Sequence, residues 1–211
     1  PYHSPTFVLT HHPRPSDEME GGFGLAQTGR TVAERMAHRL AITLVQSGAA
    51  NYFALPGDLE ALRGIDCTLA VVGPLSEAQR AQVEAAGVRF ISHGRVSDEE
   101  LVAVYKACDA VIFVSLFEGF GLPIVEAQAT GRAVVTSDRS AMPEAAGDAA
   151  LFVDPEDTRA IRAAVTTLIE DEMLRASLVA KGFDNVERFK PHVVAARYEA
   201  IYREVAQAAS A

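Results

Sequence analysis

Five apolar residues, Ala110-Val-Ile-Phe-Val114, lead directly into Ser115-Leu-Phe-Glu-Gly-Phe-Gly-Leu-Pro-Ile-Val-Glu126. A short apolar run bounded by polar residues reads as a strand buried on both faces, as in a parallel sheet. Pro123 lies just inside the next segment and Gly131 just past its end, the punctuation of a short helix over 123–130. The reading is strand, glycine-containing turn, helix, with Glu118 and Glu126 on either side of the turn. Such a turn offers backbone N–H groups at the carboxyl edge of a sheet, where α/β domains bind anionic ligands.

The surrounding sequence repeats this alternation. Strands are expected at 67–72, 88–91, 133–136 and 150–153, and helices at about 58–63, 77–86 and 97–108. Residues 142–146 are read as part of a turn, and two or three helices over roughly 157–169, 171–187 and 191–208 finish the chain. Ser97 followed by Glu100 is a capping box, with Asp98 and Glu99 in the first turn. Strands alternating with helices of this length predict a doubly wound, parallel α/β domain over 59–205. Residues 1–58 are less regular. Thr6–Thr10 and Asn51–Leu55 read as strands, and Thr31 with Glu34 as the capping box of a helix reaching about Gln46. The expected organisation is an amino-terminal segment, 1–58, that can share the same sheet, followed by a Rossmann-like domain, 59–211.

Composition narrows the function classes. With 211 residues the chain can form one large or two small domains. A formal net charge of −9 argues against nucleic acid or an anionic membrane as a broad partner. No apolar run approaches the roughly 20 residues of a spanning helix. Cys67 and Cys108 lie in or beside apolar stretches and read as reduced core thiols, which fits a cytoplasmic protein. The chain starts at Pro1, so a fragment or processed piece is expected.

Ser115–Gly131 closely resembles the signature of retaining glycosyltransferases of the GT-B fold, family four, in which two glutamates flank Gly-Phe-Gly-Leu-Pro. Val71-Val-Gly-Pro74, Ser92–Leu101, Ala133-Val-Val-Thr-Ser137, Met142-Pro-Glu144 and Gly147–Pro155 follow the family's order, so the resemblance covers about 60–205. It implies two Rossmann-like domains facing a cleft, with this chain supplying the donor-binding one. Carried over by position, Glu118 would act beside the transferred sugar and Glu126 would bind the ribose. The N–H groups of Gly119, Phe120, Gly121 and Leu122 would hold sugar hydroxyls and diphosphate. Gly94, Arg95 and Val96 would contact the base, and Gly73 would line the donor site. The implied donor is a nucleoside-diphosphate sugar, GDP-mannose or a UDP-hexose, and the implied acceptor an unidentified glycan or lipid-linked molecule. No tightly bound cofactor or metal is expected. A membrane-bound acceptor would place the protein at the inner face of a membrane.

Each residue also has a plainer reading. Glu126 in the first turn of a helix is favourable without a ligand. Glu118 can be a solvated loop acid, His93 a structural loop histidine, and Gly119 and Gly121 turn formers. His11-His12 lacks further ligands at metal-binding spacing.

The family's donor domain normally opens with a strand ending in Gly-Arg or Gly-Thr and, soon after, a lysine that helps neutralise the diphosphate. The first lysine here is Lys106, and Arg14 is the candidate substitute. Gln128 and Thr130 replace the family's usual Met and Cys. Pro5–Pro15 with Glu18–Gly22 is similar to dihydrofolate-reductase-like (RibD carboxyl-terminal) proteins, and Thr31–Glu34 through Asn51–Asp58 to thiamine-diphosphate-dependent decarboxylases. Neither stretch leaves room for such a domain. A mosaic or engineered chain, or a family member with an unusual amino terminus, is therefore expected. The leading function is donor binding for hexosyl transfer; the alternative is a non-catalytic Rossmann-like module lacking the acceptor domain.

Overall fold

A computed structural model describes residues 6–7, 41–44, 56–72 and 75–208. Its organising element is a sheet with strands β1 (Thr6–Phe7), β2 (Ala41–Leu44), β3 (Thr68–Val72), β4 (Arg89–Gly94), β5 (Ala110–Phe113), β6 (Ala133–Ser137) and β7 (Ala150–Val153). The parallel strands run in the order β4-β3-β2-β5-β6-β7, and β1 adds a short antiparallel pairing to Val71 and Val72. Strand order reverses between β2 and β5, where Ile42 pairs with Ala110 and Leu44 with Ile112. The carboxyl side of such a reversal is the crevice where open α/β sheets receive ligands.

Helices cover both faces because strand residues alternate. Ala110, Ile112, Val114, Ala133 and Val135 join one core with α1 (Pro56–Leu62), α2 (Glu77–Ala86) and α6 (Thr158–Glu170). Val111, Phe113 and Val134 join the other with α3 (Asp98–Ala107), α4 (Leu122–Ala129) and α5 (Met142–Ala146). Fully burying a side chain such as Ile112 or Phe113 contributes about 1.5–3 kcal/mol. Helix α6 presents Ile161, Val165 and Leu168 on one stripe, and Arg162 donates to the carbonyls of Ala61 (2.9 Å) and Arg63 (2.7 Å) at the end of α1. The chain closes with α7 (Glu172–Val186), a 3-10 turn (Glu187–Phe189) and α8 (Pro191–Ala208).

Helix starts follow local chemistry. Ser97 and Glu100 form the expected box: Glu100 N–H donates to Ser97 Oγ (3.2 Å) and Ser97 N–H to Glu100 Oε2 (2.7 Å). Ser76 and Gln79 do the same for α2, while Asp157 and Asp171 cap α6 and α7. Cys67 and Cys108 are free and buried; burial pushes the Cys67 thiol up to about 11, and Cys108 Sγ donates to the Val104 carbonyl.

Two sequence expectations need correction. The helix from Thr31 to about Gln46 gives way at Ala41–Leu44 to a strand paired on both sides, by β3 and by β5. β-Branched Ile42 and Thr43 suit a ladder, and two-sided pairing outweighs an irregular helical period. Residues 142–146, read as a turn, form the 5-residue helix α5, with a proline near its start. The rest of the 31–46 expectation, the strand at 51–55 and all but Thr6–Phe7 of the strand at 6–10 lie outside the described residues. Among the described residues no helix is long and apolar enough to cross a membrane.

Candidate functional site

The loop leaving β5 is shaped by a single glycine. Gly121 has φ +90° and precedes α4, and a Cβ there would stand 3.1 Å from Ile124 Cδ1 and 3.5 Å from Ala145 Cβ. Any other residue would meet both a disfavoured left-handed backbone and a packed neighbour. Gly119 differs: no atom lies within 4 Å of a Cβ built on it. Pro123 follows at the second helical position, so α4 starts at Leu122. The N–H groups of Gly119, Phe120, Gly121 and Leu122 meet no acceptor among the described residues. A run of such groups at a helix amino terminus attracts an anion.

The two glutamates stand on either side of this run. Burial raises the pKa of the half-buried Glu118 carboxyl above the usual carboxylate range, while a hydrogen bond with Ser115 pulls it back. Its main chain is held from the turn after β6. Glu118 N–H donates to Ser140 Oγ (3.3 Å), and the Ser140 hydroxyl donates to the Glu118 carbonyl (2.7 Å).

Glu126 lies in the second turn of α4, not the first. The helix-dipole reading of this acid therefore fails. Its observed partner is the buried Tyr105 of α3, whose hydroxyl donates to Glu126 Oε2 (3.1 Å). Phe120 packs edge-on against Phe189 with ring centroids 5.5 Å apart, and Arg188 lies 4.4 Å over the same ring.

Three further expected residues share this edge of the sheet. Gly94, with φ +64°, ends β4; Val96 packs into the core that holds Tyr105; Arg95 is exposed. Helix α3 thus runs from the Gly94–Val96 loop to the residue that grips Glu126. Burial lowers the pKa of neighbouring His93, favouring its neutral form. Gly73, Arg14 and His11-His12 lie outside the described residues. Arg139, at the same edge, is engaged by Asp154 (2.7 Å) and Glu156 (2.6 Å), which hold its guanidinium in the charged form.

Behind α4, sequence reasoning missed a buried polar lock. Gln128 is 1% exposed and donates to the carbonyls of Ala146 (3.0 Å) and Ala149 (3.4 Å). Asn185 of α7 donates to Gln128 Oε1 (2.7 Å) and to the Ala145 carbonyl (2.8 Å). The contact joins residues far apart in sequence, so spacing carries no trace of it.

A family model described as glycosyl transferases group 1 matches residues 53–184. The chain belongs to this family. Among curated glycosyl transferases, it is 40% identical over 102 residues to O-antigen chain mannosyltransferase B of Escherichia coli, covering 48% of this chain and 26% of that protein. It is 32% identical over 159 residues to the phosphatidyl-myo-inositol mannosyltransferase of Mycolicibacterium smegmatis, covering 74% and 41%. The chain therefore spans less than half the length of either group 1 relative. Among solved structures, the α,α-trehalose 6-phosphate synthase of Burkholderia multivorans superposes with a TM-score of 0.68 at 15% identity, covering 89% of this chain and 47% of that one. Anabaena HepE, solved with UDP and glucose, gives 0.61 at 22%, covering 78% and 46%. These likenesses carry the fold: the doubly wound domain and the family expected from the sequence are both borne out.

Proposed function

We propose that this chain is the donor-binding half of a retaining glycosyltransferase that transfers a hexose from a nucleoside-diphosphate sugar. The observation that carries the reading is the run of N–H groups from Gly119 to Leu122, without an acceptor among the described residues and set between Glu118 and Glu126 at the strand-order reversal. In this reading residues 59–211 form the nucleotide-sugar-binding unit and β2 supplies its middle strand. The diphosphate rests on the amino terminus of α4, and Glu126 accepts from the ribose hydroxyls. Gly94–Val96 border the base, and Glu118 faces the transferred sugar. As the nucleoside diphosphate departs, charge grows on a phosphate oxygen, and donors fixed beforehand lower that barrier. The mannosyltransferases among the relatives favour GDP-mannose over a UDP-hexose, with a glycan or lipid-linked acceptor held by a second domain. That acceptor would place the work at the inner face of a membrane.

Calorimetric and thermal-shift titrations with UDP, GDP, ADP and their sugars, alongside Glu126→Ala, test this. A ligand at about one hundred times its Kd adds roughly 2.7 kcal/mol of stability. For a domain of this size each kcal/mol raises the melting temperature by about 2–4 °C. Stabilisation by one diphosphate, lost in Glu126→Ala, supports the donor site and identifies the base. The engagement of Arg139 by Asp154 and Glu156 favours a second reading, a glycosyltransferase-like binding module without transfer, because that cation is already neutralised. Absence of donor hydrolysis, and of transfer when an acceptor domain is supplied, would favour it.

A further inference from the structure

Ser140 is the sole non-glycine residue with positive φ, +56°, among the described residues. Left-handed backbone is disfavoured for an L-residue with a Cβ and persists where surrounding contacts over-determine it. The contacts here are specific. A single hydroxyl accepts from the N–H of Glu118 and donates to the carbonyl of the same residue. Alanine could do neither. Glycine would relax the backbone but lose both bonds, and threonine would keep a hydroxyl at the expense of a β-branch in a left-handed conformation.

The two sides of this contact are not equally constrained. The turn carrying Ser140 is pinned before it, where Arg139 N–H donates to Ser137 Oγ (3.1 Å) and its guanidinium binds Asp154 and Glu156. It is pinned after it by Met142, which is fully buried in the core. The loop packs through Phe120 and Gly121, beyond Glu118, and is open on both sides of Glu118 itself. Phe117 is 80% exposed, and space beside Gly119 is open. The rigid turn therefore holds the loop.

We propose that Ser140 is the positioning residue of Glu118, fixing the peptide groups on both sides of its Cα so that its carboxyl is presented to the transferred sugar. This rests on the reading of Glu118 given above. A clamp on the main chain of Glu118 should govern the sugar's share of donor affinity while leaving the nucleotide's share to α4 and Glu126.

The test uses the full 211-residue chain and its Ser140→Gly and Ser140→Ala variants. Three quantities are read: melting temperature, amide exchange of Glu118, and Kd for GDP against GDP-mannose and UDP against UDP-glucose. Ser140→Gly is expected to melt no lower than wild type and to exchange the Glu118 amide about tenfold faster, the loss of one net hydrogen bond. Its nucleoside-diphosphate affinity should be kept, and the additional affinity due to the sugar lost. Ser140→Ala should share the last three effects and melt lower, because its backbone stays strained. Unchanged exchange overturns the clamp. Faster exchange with an unchanged sugar contribution overturns the positioning role and leaves Ser140 as a structural tie. If the wild type binds none of these ligands, the donor-site reading falls and the positioning role with it, while exchange still decides the clamp.

Discussion

The hydroxyl of Tyr105 reaches 3.1 Å to Oε2 of Glu126 and so ties the carboxyl end of α3 to the middle of α4. Tyr105 is 1% exposed, so its hydroxyl reaches Glu126 from within the core. Tyr105→Phe deletes the donor with almost no change of shape. A hydrogen bond to a charged group contributes about 1.5–3 kcal/mol, so nucleoside-diphosphate affinity should weaken about tenfold or more. The loss should fall on ribose recognition. Calorimetry comparing each ribonucleotide with its deoxy analogue checks this; equal discrimination in variant and wild type would count against Glu126 as the ribose ligand.

Glu118 makes stability depend on pH in a stated direction. Burial raises its carboxyl above the ordinary value of 4.5, so the folded chain holds the proton more tightly than the unfolded chain. The associated stability is fully present below 4.5 and is lost as pH rises through the raised value. Glu118→Gln removes this dependence. The variant should melt above wild type at pH 8, and the gap should close as pH falls to about 4, the ordinary carboxylate range. Melting curves across that range decide it; a gap that stays constant with pH would contradict the raised carboxyl.

Gly121 and Gly119 should respond differently to the same substitution. Gly121→Ala forces a Cβ into left-handed backbone beside Ile124 Cδ1 and should cost at least about 1–2 kcal/mol. Gly119→Ala meets empty space and should leave the urea midpoint unchanged. If donor oxygens approach this loop closely, Gly119→Ala will still weaken diphosphate binding. A variant of Gly119 that binds like wild type would remove that residue from the site.

The lock behind α4 is best tested as a pair. Gln128→Met strips the donor from the Ala146 and Ala149 carbonyls and leaves Asn185 short of an acceptor. Buried groups left without partners cost about 1–3 kcal/mol, and Asn185→Ala should cost a similar amount. Because the two side chains share one of these bonds, the double variant should lose less than the sum, with a coupling of at least about 0.5 kcal/mol. Strict additivity in urea unfolding would show that the two side chains act separately.

What the sequence disclosed followed from local rules. The Ser97–Glu100 box, the apolar run at 110–113 and the helix near Pro123 all lie within a few residues of the signals that announce them. Glu118 and Glu126 were also legible, through the family signature. The physical setting of Glu126 was not, because Tyr105 comes from another helix. Ser140 stayed hidden for the same reason: an ordinary turn serine becomes unusual only when the loop after β5 folds back to it. Ala41–Leu44 was misread because a four-residue strand carries too little pattern of its own and is specified by the strands beside it.

That central strand also fixes the order in which the molecule is able to assemble. The ladder of Ile42–Leu44 with Ala110–Ile112 has to wait until the intervening chain, with β3 and β4 in it, has closed on itself. Pairings such as β5 with β6 span far less chain and can form sooner. Loops closed over long separations slow folding even where they cost little stability. Until that closure the facing edges of β2 and β5 are open to strands of other chains. A chain caught before that closure would then be the species most prone to aggregate, and the one a chaperone would have to shield.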